Sequence, residues 1–180
     1  MNIFRKYLLG DKSFYQELLV VGLPIVLQNL LTSSLNLIDT LMVGRLGEQA
    51  IASVGVSNKF YFVLNFVLTG VAAGCGIFIS QYLGRKDKQG MRRSLGVSIV
   101  CSLSLGIFFM LLALLFPVQI IGLFQEDAGF IADTCAYFQI VCFSYPLSAL
   151  TYAYASGLRN TGQSIYPMVS SAAGVFTNIF

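Results

Sequence analysis

The chain has 180 residues, 56% of them apolar and 11% charged, with a formal charge of +3 and no histidine. Soluble domains carry about 25% charged residues, so this chain lacks the polar groups needed to clothe a water-facing surface. Its basic residues sit in short loops and form no contiguous basic face, which argues against a nucleic-acid partner.

Five stretches are free of charge: between Glu17 and Asp39, Lys59 and Arg85, Arg93 and Glu126, Asp133 and Arg159, and after Arg159. A helix needs about 20 residues to cross roughly 30 Å of hydrocarbon. The stretches are rich in Leu, Ile, Val and Phe without strict alternation, and each is longer than the about 9 to 11 residues of a barrel strand. The expected fold class is therefore all-α: a polytopic membrane helix bundle with helices near residues 16–42, 52–83, 93–116, 130–156 and 164–180. The last of these is short of a full crossing, so the chain reads as ending inside its fifth helix.

Ahead of the first helix stand Arg5, Lys6, Asp11 and Lys12. The apolar run that follows continues to Ile38, longer than the core of a secretory signal, and reads as a retained helix. It contains polar residues that hydrocarbon should exclude. At 100° per residue, Gln28, Thr32, Asn36 and Asp39 fall at about 0°, 40°, 80° and 20°, on one stripe. Such a stripe suits a helix bordering a watery cavity. A mid-membrane aspartate costs about 2.5 to 3.5 kcal/mol, and each large aliphatic residue returns about 0.3 to 0.6; thirteen of them between Leu18 and Ile38 offset it. From position alone Asp39 is either an ion- or proton-coupling carboxylate or a helix-end residue near the interface. Pro24, on the same helix, removes one backbone donor and is either a hinge or a plain kink.

In the second helix, Gly70 and Gly74 form a G-x-x-x-G pair with Ala72, Ala73 and Gly76 beside them, a pattern expected to let another helix approach closely. Asn65 and Thr69 lie one turn apart and face either a cavity or a neighbouring helix. Between the second and third helices comes a basic loop with Arg85, Lys86, Lys88, Arg92 and Arg93. The fourth helix carries Tyr137, Gln139, Tyr145, Tyr152 and Tyr154, rings that suit either an organic cation or an interfacial belt. Cys75, Cys101, Cys135 and Cys142 lie inside apolar spans without C-x-x-C spacing and read as packing residues.

Loop charges orient the bundle. With the N-terminus inside, inner segments hold Arg5, Lys6, Lys12, Arg85, Lys86, Lys88, Arg92, Arg93 and Arg159, whereas outer segments hold only Arg45 and Lys59. Basic residues collect on the cytoplasmic side, so a multi-pass protein of the cell membrane with a cytoplasmic N-terminus is expected. No Walker loop, serine elbow or metal-ligand cluster is present in the sequence, which argues against an enzyme and against a metal or organic cofactor.

The run GLPIVLQNLLTSSLNLIDTLMVGRLGEQAIASVGVS, from Gly22 to Ser57, resembles the first helix and outer turn of the multidrug and toxic compound extrusion (MATE) transporters. The segments QYLGRKD and GLRNTGQS are similar to inner-loop patterns of that family. The resemblance implies twelve helices in two six-helix lobes around a central cavity, working by alternating access. It implies export of cationic or amphipathic compounds in exchange for H+ or Na+, with membrane lipids and a C-terminal six-helix lobe as partners. By the same resemblance Asp39 is the coupling carboxylate, Pro24 the hinge of the first helix, and Asn178 a residue of the fifth helix lining the cavity; Gln28, Thr32, Asn36 and Asn65 are the cavity candidates by position. Proton coupling calls for surroundings that favour a neutral carboxyl, whereas sodium coupling calls for an ionised one beside oxygen ligands such as Asn36 or Asn178. Two other readings are a lipid-linked sugar flippase of related architecture and a non-transporting membrane remnant.

Overall fold

A computed structural model describes residues 12–124 and 128–179; the side chains of Glu17, residues 128–130, Asp133 and residues 178–179 lie outside that description. Among the described residues seven α-helices follow in order: α1 (Lys12–Gly44), α2 (Glu48–Gly84), α3 (Lys88–Leu115), a short α4 (Pro117–Gly122), α5 (Ala128–Val141), α6 (Tyr145–Asn160) and α7 (Ile165–Ile179). No strand occurs among the described residues. Helices α1, α2 and α3 are each long and apolar enough to cross a membrane, and the architecture is a membrane helix bundle.

Local chemistry sets the boundaries. The α2–α3 turn closes with Lys86 in the left-handed region at φ 56°, and the Asp87 side chain then accepts from the backbone N–H groups of Gln89 and Gly90, each at 3.0 Å. That bond satisfies donors which the first turn of a helix leaves open. The fourth apolar segment is not one continuous helix: a 3-10 turn, Cys142–Ser144, separates α5 from α6. The physical reason is Pro146, which has no N–H to offer the Cys142 carbonyl. Tyr145 N–H reaches that carbonyl instead, giving the tighter i to i+3 closure.

The core lies where α2, α3 and α6 meet, the largest interfaces in the bundle being α3 with α6 and α2 with α3. Each helix presents a row of small side chains one turn apart: Ala72 and Gly76 on α2, Ser98, Ser102 and Gly106 on α3, and Ala149, Ala153 and Gly157 on α6. Small residues at this spacing let helix backbones approach, which matters in lipid because burying apolar groups between helices brings little gain there. The approach is close. A Cβ added to Gly106 would lie 2.9 Å from the Pro146 Cα and 3.0 Å from the Tyr145 carbonyl oxygen, and one on Gly76 would lie 2.6 Å from Asn160 Nδ2. Beside Gly106 the core takes aromatic rings. Phe60 packs on Phe109 and Phe138 with centroids 5.3 Å apart in both cases, and Tyr61 stacks on Tyr145 at 5.5 Å.

Gly70 and Gly74 correct the sequence reading. They do not sit against another helix, since a Cβ at either position meets nothing within 4 Å. The packed face of α2 runs through Leu64, Leu68, Ala72, Gly76 and Ile79, a stripe that the G-x-x-x-G pair does not join. Gly106→Ala is expected to lower stability by about 1 to 3 kcal/mol through overpacking against backbone. Gly74→Ala should not lower it, and thermal unfolding of the two purified variants in detergent checks the contrast.

Candidate functional site

Helix α1 stands apart from this core. It packs chiefly on α7 and, among its described side chains, buries only Pro24 and Gln28. The helix runs unbroken through Pro24. One turn further on, Gln28 joins three helices. Its Nε2 donates to Ser171 Oγ of α7 at 3.0 Å, and its Oε1 accepts from Arg159 Nη2 of α6 at 2.9 Å. Ser164 Oγ adds a bond to the Val21 carbonyl at 3.1 Å. Gln28 also lines a cleft of about 420 Å3 with Thr151, Tyr154, Tyr166 and Ser170. The Arg159 guanidinium is half-buried, and its Nε is enclosed without a hydrogen-bond partner.

Further along α1, Thr32 and Asn36 are exposed. Thr32 Oγ1 is turned back onto the Gln28 carbonyl at 3.0 Å, and the Asn36 carbonyl accepts from Thr40 Oγ1 at 2.7 Å. Asp39 is half-buried. Among the described residues no hydrogen bond or ion pair reaches its carboxylate, and the phenol of Tyr137 on α5 lies within range of its charge. Behind Tyr137, Thr134 Oγ1 and Ser53 Oγ share a buried hydrogen bond of 2.9 Å between α5 and α2. The arrangement leaves the Asp39 carboxylate without a bonded partner among the described residues on an apolar helix, with the Tyr137 phenol within reach of its charge.

The remaining sequence candidates lie elsewhere. Asn65 is half-buried, and its Nδ2 donates to the Tyr61 carbonyl at 3.0 Å. Thr69 Oγ1 meets Tyr152 Oη of α6 at 2.8 Å, so this turn of α2 bonds to a neighbouring helix. Of the tyrosines offered to a ligand, Tyr145 is corrected: it is fully buried in the core with its hydroxyl unpartnered, whereas Tyr137 and Tyr154 stay accessible. Asn178 falls on α7, but its side chain lies outside the described residues. So do Arg5 and Lys6. Arg159 was visible in the sequence only as a loop charge; nothing local shows that it folds back onto α1.

Residues 24–180 match the family described as MatE. The chain belongs to the MatE family. Among its relatives, the probable multidrug resistance protein YoeA of Bacillus subtilis is 27% identical over 168 residues, covering 93% of this chain and 36% of that protein. The probable multidrug resistance protein NorM of Thermotoga maritima is 24% identical over 182 residues, covering 99% of this chain and 39% of NorM. The multidrug export protein MepA of Staphylococcus aureus is 23% identical over 174 residues, covering 96% and 39%. The chain thus spans less than two-fifths of the length of these relatives. Family and helices together make it a multi-pass membrane protein.

The Gln28–Arg159 bond has a measurable weight. A double-mutant cycle with Gln28→Leu and Arg159→Met is expected to give a coupling of about 1.5 to 3 kcal/mol, the range for hydrogen bonds to a charged group. Reversible unfolding in mixed micelles provides the readout, and additivity of the two changes would mean that the bridge carries no weight.

Proposed function

We propose that these residues form part of a multidrug efflux antiporter, in which cationic or amphipathic compounds leave the cell in exchange for H+ or Na+. Membership of the MatE family and relatives named for multidrug resistance and export support this reading. They also weigh against a lipid-linked sugar exporter. The observation that carries the coupling role is the Asp39 carboxylate, half-buried on an apolar helix with Tyr137 as its electrostatic neighbour and no cationic partner among the described residues. A carboxylate within an apolar helix and without a cationic partner is a default candidate for the place where a coupling ion binds.

Ion entry would then bias two conformations by its differential affinity for them. Pro24 and Gln28, the α1 end of the bridge to Arg159 and Ser171, lie on the part of α1 that such a change would move. The exposed Thr32 and Asn36, together with Asn65 and Asn178, supply polar positions for a cavity completed by a second six-helix lobe. Nine basic residues assigned to one side against two on the other support a cytoplasmic N-terminus in the plasma membrane. The chemistry needed is binding and conformational change, with no covalent step.

In cells lacking their own exporters and expressing the full reading frame, Asp39→Asn should reach the membrane at normal levels yet lose gradient-driven expulsion of a cationic dye. Efflux rates measured under imposed proton and sodium gradients would separate the two couplings. Undiminished efflux by the variant under both gradients would remove Asp39 from the mechanism.

A further inference from the structure

The glycines of α2 that pack against nothing line a groove. Gly70, Val71, Gly74 and Phe78 of α2 face Ser94 and Val97 of α3 across a cleft of about 450 Å3, within the roughly 300 to 1,000 Å3 of ligand clefts. From Gly70 to Tyr82 the α2 wall runs about 18 Å at 1.5 Å per residue. That length is close to one leaflet, half of the about 30 Å hydrocarbon thickness. The body of the groove holds no charged side chain, while its mouth carries Tyr82, Asp87, Gln89 and Arg93.

The mouth opens in the most basic turn of the chain. Residues 85–93 contain Arg85, Lys86, Lys88, Arg92 and Arg93 against the single acid Asp87, and one Asp87 oxygen accepts the two backbone N–H groups that start α3. All five basic side chains are exposed. Among the described residues no carboxylate pairs with them. A greasy channel one leaflet long that ends in exposed cations has the polarity of an anionic phospholipid.

We propose that the α2–α3 groove is a binding site for an anionic phospholipid, its phosphate at Arg93 with the neighbouring basic residues and one acyl chain lying along Gly70 and Gly74. The glycines then have a reason other than helix packing: a side chain at either would stand in the path of the chain. Basic pockets between membrane helices recognise lipid headgroups in this way, each Lys or Arg near the surface contributing about 1 kcal/mol, or about fivefold in affinity.

Residues 1–180 contain no tryptophan, so in a polypeptide of these residues Phe78→Trp places a single fluorophore in the groove. The purified variant in neutral detergent is titrated with phosphatidylglycerol and with phosphatidylcholine carrying the same brominated acyl chains. Quenching should saturate at least fivefold lower in phosphatidylglycerol, weaken about fivefold for that lipid on adding Arg93→Gln, and be lost on adding Gly74→Leu. Circular dichroism confirms that each variant folds; Gly70→Leu replaces Gly74→Leu if the latter does not. Equal quenching by the two headgroups overturns the proposal. So does quenching that survives both glycine substitutions, or a groove shielded from lipid because a second polypeptide occupies it.

Discussion

Backbone proximity governs this bundle. Within a bilayer the solvent is as apolar as leucine, so burying leucine between helices gains little, and attraction must come from dispersion at short range and from hydrogen bonds. Both weaken quickly with distance. Rows of alanine, serine and glycine on α2, α3 and α6 bring main chains near enough for that attraction to act, and larger residues at the same places would hold them apart. The aromatic cluster around Phe60 and Tyr145 lies beside these rows and benefits from the same closeness.

The α1–α7 pair is held differently. Its apolar faces are mostly exposed, and its link to α6 includes the amide of Gln28 between a guanidinium and a hydroxyl. Such bonds are directional and can be exchanged for others of similar energy, whereas interlocked backbones cannot. One part of the molecule is therefore suited to stay fixed and the other to shift, a division of labour that fits the proposed alternation between two states.

Much of the fold was legible because charge-free length is a one-dimensional signal that hydrocarbon thickness interprets directly. The helices around Leu64, Phe109 and Leu30 needed no partner to be recognised. Which face of a helix packs was harder to read. The pair Gly70 and Gly74 drew attention as G-x-x-x-G, yet the packed row passes through Ala72 and Gly76, and Ala149, Ala153 and Gly157 repeat the same spacing on α6 without a conspicuous motif. Small residues mark both a contact and a void, and sequence alone does not tell them apart. At the candidate site Asp39 stood out because a lone carboxylate in an apolar run is costly. Its nearness to Tyr137 and the return of Arg159 to α1 depend on pairings across about 100 residues or more, which no local pattern encodes.

The 3-10 turn before Pro146 bears on how the two halves of the fourth segment aim their side chains. Three residues at 120° each, in place of 100°, advance the screw by about 60° more than an α-helix would, and lengthen the path by about 1.5 Å. That twist sets the azimuth of Thr134 and Phe138, by which α5 meets Ser53 and Phe60 of α2, apart from that of Tyr145 and Tyr152, by which α6 meets Tyr61 and Thr69 of the same helix. A single imino acid thus serves as a phase shifter between two halves of one crossing that both address α2.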